Sequence, residues 1–266
     1  NAQREKLTAA FKEVVARKVI PAYTKMGTFL ETDYLPKART TDGLNALPKG
    51  NEIYAYYTKS WTTSAKTPEE INKIGLEQVA MLRGEMEKVK QDLGFTGTLE
   101  QFITYVKSDP KAMPYTTEKE IITAFNGILS KIQPKLKTMF SVTPVTPFEI
   151  RQTEKFREAT ASAEYVQGTP DGKRPGIFYM PIPDPTKFNV TSGMESLFLH
   201  EAIPGHHYQI SLQQENTALP KFMRFGWFGA YGEGWAHYCE TLGPEFGLYT
   251  DPYQKMGYLS DQMLRA

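Results

Sequence analysis

Two short clusters in this chain carry residue types that can do chemistry: His200-Glu-Ala-Ile-Pro-Gly-His-His207 and Glu233-Gly-Trp-Ala-His-Tyr-Cys-Glu240. They contain all four histidines of the 266 residues, so the first 199 positions have none. A residue used so sparingly and then gathered into one stretch points to a local purpose rather than to general composition. Imidazole nitrogens and carboxylate oxygens are the donor set of a zinc site. A catalytic site of this kind has three protein ligands and an open position for water. The metal lowers the pKa of that water from 15.7 toward ~7, and a neighbouring carboxylate can take the proton.

The spacing needs explanation. In the HExxH zinc helix the two histidines lie at i and i+4 on one face, with the Glu as general base. Here His206 is at i+6 from His200, about 240° around an ideal helix, and His207 at i+7 lies ~10 Å further along. A regular helix cannot bring either pair onto one metal. Pro204 and Gly205 sit at the misfit: proline removes a helical hydrogen bond and clashes with the preceding turn, and glycine permits unusual dihedrals. Extrusion of two residues would put His206 in the place normally held at i+4. With His206 so placed, His200 and His206 would offer two donors and the separate 233–240 helix a carboxylate, and Glu201 could take the proton. His207 is the rival for the second ligand. His237 and Glu240 share a helical face with Glu233 and serve as supporting or alternative ligands. Tyr179, Arg174 and Tyr231 are candidate substrate contacts, while Trp227 and Trp235 read as core. A di-iron carboxylate bundle is disfavoured, because Glu233 to His237 is one residue too long for its Glu-x-x-His pair.

The remainder of the chain must position these groups, and most of it carries helix signals. Thr67-Pro-Glu-Glu70 is a capped start, followed by an apolar stripe from Ile71 to Val89 that stops near Gly94. Thr98 with Gln101 and Thr117 with Glu120 open two more helices, the second expected to end before Pro134. Residues 3–20 are amphipathic, with Pro21 expected to kink or end that helix. Seven prolines between 144 and 185 exclude a long helix there. Residues 163–167 and 176–180 alternate like strands around Thr169-Pro-Asp-Gly172, so a β-hairpin is expected. Strand 176–180 is then a candidate edge for an extended substrate. Helix is expected to resume at Ser192-Gly-Met-Glu195 through another capping box. The expected fold is mainly α, with a small hairpin or sheet beside the cleft. It is read as a single domain over 1–266: a helical scaffold (1–140), a hairpin region (141–190) and the site helices (191–266).

Composition excludes several function classes. The 31 Lys+Arg against 30 Asp+Glu leave a formal net charge of +1, so no basic field supports a nucleic-acid partner. No window reaches the ~18 apolar residues of a membrane span. The lone Cys239 excludes an intrachain disulfide and a Cys-rich zinc finger. The chain starts without Met and ends on helical residues with no stop signal, which reads as part of a longer protein that supplies further N- and C-terminal segments.

At these residues the sequence resembles the bacterial domain of unknown function 885. The resemblance rests on both clusters with Gln209, and extends to Lys49-Gly-Asn-Glu-Ile-Tyr-Ala-Tyr56, Thr67-Pro-Glu-Glu-Ile71 with Gly75, Asp171-Gly-Lys-Arg-Pro-Gly-Ile-Phe-Tyr179 and Gly247-Leu-Tyr-Thr-Asp-Pro-Tyr253. More distantly, Gly205-His-His-Tyr-Gln209 and the 233–240 segment are similar to the metal helices of carboxypeptidase Taq-like and oligopeptidase-type zinc peptidases. That similarity implies a gluzincin-like architecture, Zn2+ held by His200, His206 and Glu233, Glu201 as base, and a peptide substrate. The resemblance to the family of unknown function implies an Arg-rich helix and further His beyond this C-terminus, and an exported or periplasmic location. The resulting expectation is a zinc-dependent metallopeptidase. The reading from another class is a non-catalytic peptide-binding or structural domain on the same scaffold.

Overall fold

A computed structural model describes residues 2–266. The fold divides into two compact units, Asn1–Tyr56 and Tyr57–Ala266. In the first unit, α1 (Ala2–Val14) and α2 (Ile20–Phe29) form one continuous helical run through a π-helical segment, Val15–Val19. Pro21 therefore does not end the helix. Its ring would meet the carbonyl four residues back, on Arg17, and the wider π turn falls there. A second π segment (Leu30–Tyr34) and two short 3-10 turns lead to α3 (Gly50–Thr62).

The second unit is built on capped helices. In α4 (Pro68–Asp92) the Glu70 amide donates to Thr67 Oγ1 at 3.2 Å, while the Thr67 amide donates to Glu70 Oε2 at 2.7 Å. Together these satisfy two of the amides that a helix start leaves unpaired. The same reciprocal box opens α5 (Leu99–Val106) and α6 (Glu118–Met139). The second of these runs through Pro134, where the sequence predicts an end. Ile132 and Leu136 are buried on either side of the proline, and packing them offsets the lost hydrogen bond.

The proline-rich middle folds into three strands: β1 (Phe148–Gln152), β2 (Glu164–Val166) and β3 (Gly176–Met180). The order is β1-β3-β2, with β2 antiparallel and β1 parallel to β3. The β2–β3 hairpin is the expected one, and β1 is an addition. Because β3 is central, both of its edges are occupied, so it cannot take a substrate strand as expected from the sequence. The fully buried Phe178 packs edge-on to Phe125 at 5.3 Å, and Phe198 lies 6.4 Å away. Phe198 belongs to α7 (Met194–Glu201), so the sheet rests on the helix that carries the first cluster. Tyr179, next along β3, lies on the opposite face.

The remaining helices are α8 (His206–Glu215), α9 (Lys221–Phe225), α10 (Gly229–Thr241), α11 (Gly243–Phe246) and α12 (Pro252–Arg265). Helix α7 packs against α6, α10 and α12. Its start departs from the expected capping box. Gly193, at φ +86°, precedes the first turn with no side-chain cap, and Glu195 instead accepts the Tyr249 amide at 2.6 Å. No helix among the described residues is long and apolar enough to cross a membrane.

Candidate metal centre

The misfit spacing of the first cluster is resolved by a break rather than by a bulge. Helix α7 ends at Glu201, residues 202–205 turn, and α8 begins at His206 as a separate helix. The Ile203–Pro204 peptide is cis. A Cβ on Gly205 would lie 1.9 Å from the His200 carbonyl oxygen and 2.3 Å from that of Leu199, so only glycine lets the second helix start this close to the first. The turn is pinned from α10, where Trp235 Nε1 donates to the Pro204 carbonyl at 2.8 Å.

This break brings the rings of His200 and His206 to 4.8 Å between centroids, nearly perpendicular. Glu233, near the start of α10, completes a group whose ligand atoms all lie within 4.8 Å of one another. Glu233 Oε2 is 3.3 Å from His200 Nε2 and 3.6 Å from His206 Nε2. Tetrahedral coordination with bonds of ~2.0–2.1 Å puts ligand atoms roughly 3.3 Å apart, so the residues present fit a zinc ion. Both histidines are buried, while Glu233 is largely exposed, leaving the group open on one side.

The electrostatics differ from group to group. Burial, together with the His200 charge, lowers His206 to about 4, so the ring is neutral near pH 7 and can ligate. Burial also opposes charge on His200, but the hydrogen bond to Glu240 and the charges of Glu201 and Glu240 win, and its pKa is raised. Burial pushes Glu201 up to about 7. His200 and the Tyr165 backbone N–H partly oppose that rise, and Glu233 and Glu164 add to it. A carboxyl titrating near neutrality is suited to proton transfer.

The other sequence candidates fall in distinct places. Glu240 is fully buried and is not part of the cluster; its Oε1 lies 2.7 Å from His200 Nδ1. Gln262 Nε2 donates to Glu240 Oε2 at 2.8 Å, and Arg265 pairs with Oε1 at 2.9 Å. Burial acts to raise the Glu240 carboxyl, yet the hydrogen bonds from His200 and His237 with the Arg265 charge hold it below the usual range. His237 Nδ1 is 3.8 Å from Glu240 and 3.3 Å from Gln262 Nε2. His207 points to the sheet: its Nδ1 is 3.0 Å from the Tyr165 hydroxyl, and the Thr146 backbone engages the ring as well. Turned to the sheet in this way, His207 faces Tyr165 rather than the His200, His206 and Glu233 group. Tyr231 is exposed, two residues before Glu233, and its carbonyl accepts Gln209 Nε2 at 3.0 Å. Tyr179 has Arg157 over its ring at 5.2 Å, and Arg174 is an exposed loop residue donating to the Gln167 carbonyl at 3.4 Å. Neither reaches the cluster.

Sequence reasoning missed five neighbours. Trp227, read as core, is 52% exposed and stands 5.7 Å from the His206 ring. It rests on Gly232, where a Cβ would come 2.1 Å from the indole. Trp235 is half-buried, its indole N–H on the turn. Arg265 and Gln262 come from the last helix, more than 60 residues from His200, and carry no local signal. Tyr165 is brought in by the hairpin.

A family profile described as "Bacterial protein of unknown function (DUF885)" matches residues 1–266. No curated protein matches the chain. Among solved structures, a protein described as a candidate lipoprotein from Colwellia psychrerythraea is similar over 100% of this chain and 46% of its own, at 29% identity and a TM-score of 0.89. A second, a candidate lipoprotein of unknown function from Shewanella oneidensis, shares the fold at 18% identity and a TM-score of 0.61, over 92% of this chain and 46% of its own. The chain thus spans less than half the length of these two proteins.

Proposed function

The chain belongs to the bacterial DUF885 family, whose description assigns no chemistry, and from the geometry of its site we propose that it is a zinc-dependent hydrolase of peptide bonds with a gluzincin-like arrangement. The observation that carries this reading is the convergence of His200, His206 and Glu233 within 4.8 Å, with Glu201 adjoining on the same helix as His200. When bound, zinc supplies Lewis acidity and makes water a usable nucleophile near neutral pH. Glu201 accepts the proton from the attacking water and returns it to the leaving amine, a task that its pKa of about 7 suits. Glu240 holds the His200 ring through Nδ1, leaving Nε2 turned to Glu233.

The peptide would pair with β2 rather than with the sequence-predicted 176–180 strand. Strand β2 is at the edge of the sheet, and its Tyr165 backbone is among the groups that act on the Glu201 carboxyl. An extended peptide added at that edge passes the base and the ligand group together. Trp227 and Tyr231, both exposed beside the ligands, would wall the cleft. The likeness to candidate lipoproteins supports an exported location.

Metal analysis of the purified protein together with Glu201→Gln tests this reading. One equivalent of zinc and a hydrolysis rate reduced ~10²–10⁴-fold in the variant are expected. An unchanged rate in a zinc-loaded Glu201→Gln variant removes the base assignment. Absence of stoichiometric zinc favours the non-catalytic peptide-binding reading.

A further inference from the structure

Beside the ligand group the surface is aromatic and uncharged. Residues 226–232 carry no charged side chain, and within them Trp227, Phe228 and Tyr231 are 52%, 61% and 63% exposed. Trp227 is placed by two of the helices that carry ligands. Its ring stands 5.7 Å from that of His206 on α8, and its indole lies against Gly232 of α10, where a Cβ would come 2.1 Å from it. A second indole, that of Trp61, is 69% exposed and stands 3.7 Å from where a Cβ on Gly229 would be. The two glycines are three positions apart and share a helix face, so both indoles lie along one strip of α10 that reaches the residue before Glu233. Large aromatic groups left open in a contiguous patch mark a place for a partner.

We propose that this strip is the subsite for a bulky apolar side chain of the substrate beside the bond that is cut, so that the protein selects peptides carrying Phe, Leu or a residue of like size there. The cut rests on the hydrolase reading, whereas the binding preference does not. Position follows from the contacts of Trp227: whatever covers its indole also lies beside His206 and next to Glu233, two of the three proposed ligands. Class follows from the chemistry of the strip. Indole and phenyl faces gain from covering apolar surface, and they offer an ionised side chain nothing to replace its water. Selectivity follows from the glycine behind Trp227. A side chain at Gly232 would push the indole away, whereas an aromatic ring already held in one place presents its face with little ordering cost on binding.

The test is calorimetric binding of end-blocked Gly-Gly-Phe-Gly and its Ala and Asp counterparts to the metal-free protein, followed by hydrolysis of the same peptides after zinc loading. The Phe peptide is expected to bind ~10–100-fold more tightly than the other two. Trp227→Ala should reduce that ratio to about twofold, and Trp227→Phe should keep most of it. Gly232→Ala favours the helix by itself yet displaces the indole, so it should lose the ratio while the protein stays folded. Equal affinity for the three peptides, no binding of the Phe peptide at millimolar concentration, or a ratio untouched by Trp227→Ala overturns the subsite. Wild-type protein that prefers the Phe peptide but cuts none of the three with zinc keeps the subsite and overturns the hydrolase reading. Cutting all three at equal kcat/KM keeps that reading and overturns the subsite.

Discussion

Nδ1 of His200 lies 2.7 Å from Oε1 of Glu240, a carboxylate with no exposed surface, and that contact joins α7 to α10 across the centre of the second unit. Glu240 accepts from Gln262 and pairs with Arg265 as well, so one buried acid gathers side chains from three helices. An ionised carboxylate is tolerated in such a place only with partners that satisfy it.

Glu240→Gln should therefore act on the metal through His200. The amide retains the shape but removes the charge that both orients the ring and raises its basicity. Zinc affinity is expected to fall ~10–100-fold, the usual cost of losing an outer partner of a histidine ligand. Competition titration with a chromophoric chelator reads this directly, and an affinity within twofold of wild type would contradict the assigned role.

Gly205→Ala should separate the two histidines. The added Cβ would sit 1.9 Å from the His200 carbonyl oxygen, and neither helix can move without carrying its ligand away. A loss of about 1–3 kcal/mol or more is expected from forced repacking, together with weakened zinc binding. Urea unfolding and zinc titration of the same variant check both. A variant of unchanged stability would show that the turn adapts.

Zinc itself should stabilise the fold. The donor residues of the proposed site come from α7, α8 and α10 and are assembled only in the folded chain, so zinc held by them would be coupled to folding. At a free zinc concentration of 100 times Kd the gain is about 2.7 kcal/mol, or roughly 5–10 °C in midpoint for a chain of this size. Thermal scans with zinc, and then with excess chelator, should show the rise and its reversal. The absence of any shift would argue against a specific site.

Glu158 offers a pH test remote from the centre. It is 4% exposed and accepts Gln152 Nε2 at 2.7 Å and the Ile182 amide at 2.8 Å, with Lys155 at 3.2 Å. Burial works to raise its pKa, but these partners prevail and lower it. A carboxyl whose folded pKa is depressed adds stability above its unfolded value, near ~4.3, and loses it as pH falls through the folded one. Glu158→Gln should cost about 1–3 kcal/mol at pH 7, and its gap to wild type should close as the pH drops below 4. A gap constant from pH 7 to 3 would show that the charge is irrelevant.

Local order was largely legible in the chain. Three capping boxes start α4, α5 and α6 at the residues that announce them, because a cap is made by side chains three positions apart and needs no distant partner. The β2–β3 hairpin followed in the same way from alternation and a turn. Pro134 misled, lying inside a helix where buried neighbours absorb a cost that local reasoning takes as final, and of the two outcomes expected at Pro21 the helix end is excluded, since a π segment leads into a helix that runs through it. Strand β1 was missed because its partner β3 is 28 residues away in register, Phe148 against Gly176.

For the site, the sequence by itself determined which residues carry donor atoms and that Pro204-Gly205 disrupts a regular helix between them, since side-chain chemistry and backbone sterics are local properties; that the disruption is a break between two helices, not the expected extrusion, came from the fold. The tertiary structure alone decided which way each histidine faces. His206 and His207 are neighbours in the chain, yet one turns to Glu233 and the other to Tyr165, because the break resets the rotation of α8 relative to α7. It likewise decided that Glu240, Gln262, Arg265, Gln209 and Trp227 surround the ligands. Their roles come from packing between helices, and distance along a chain carries no information about that.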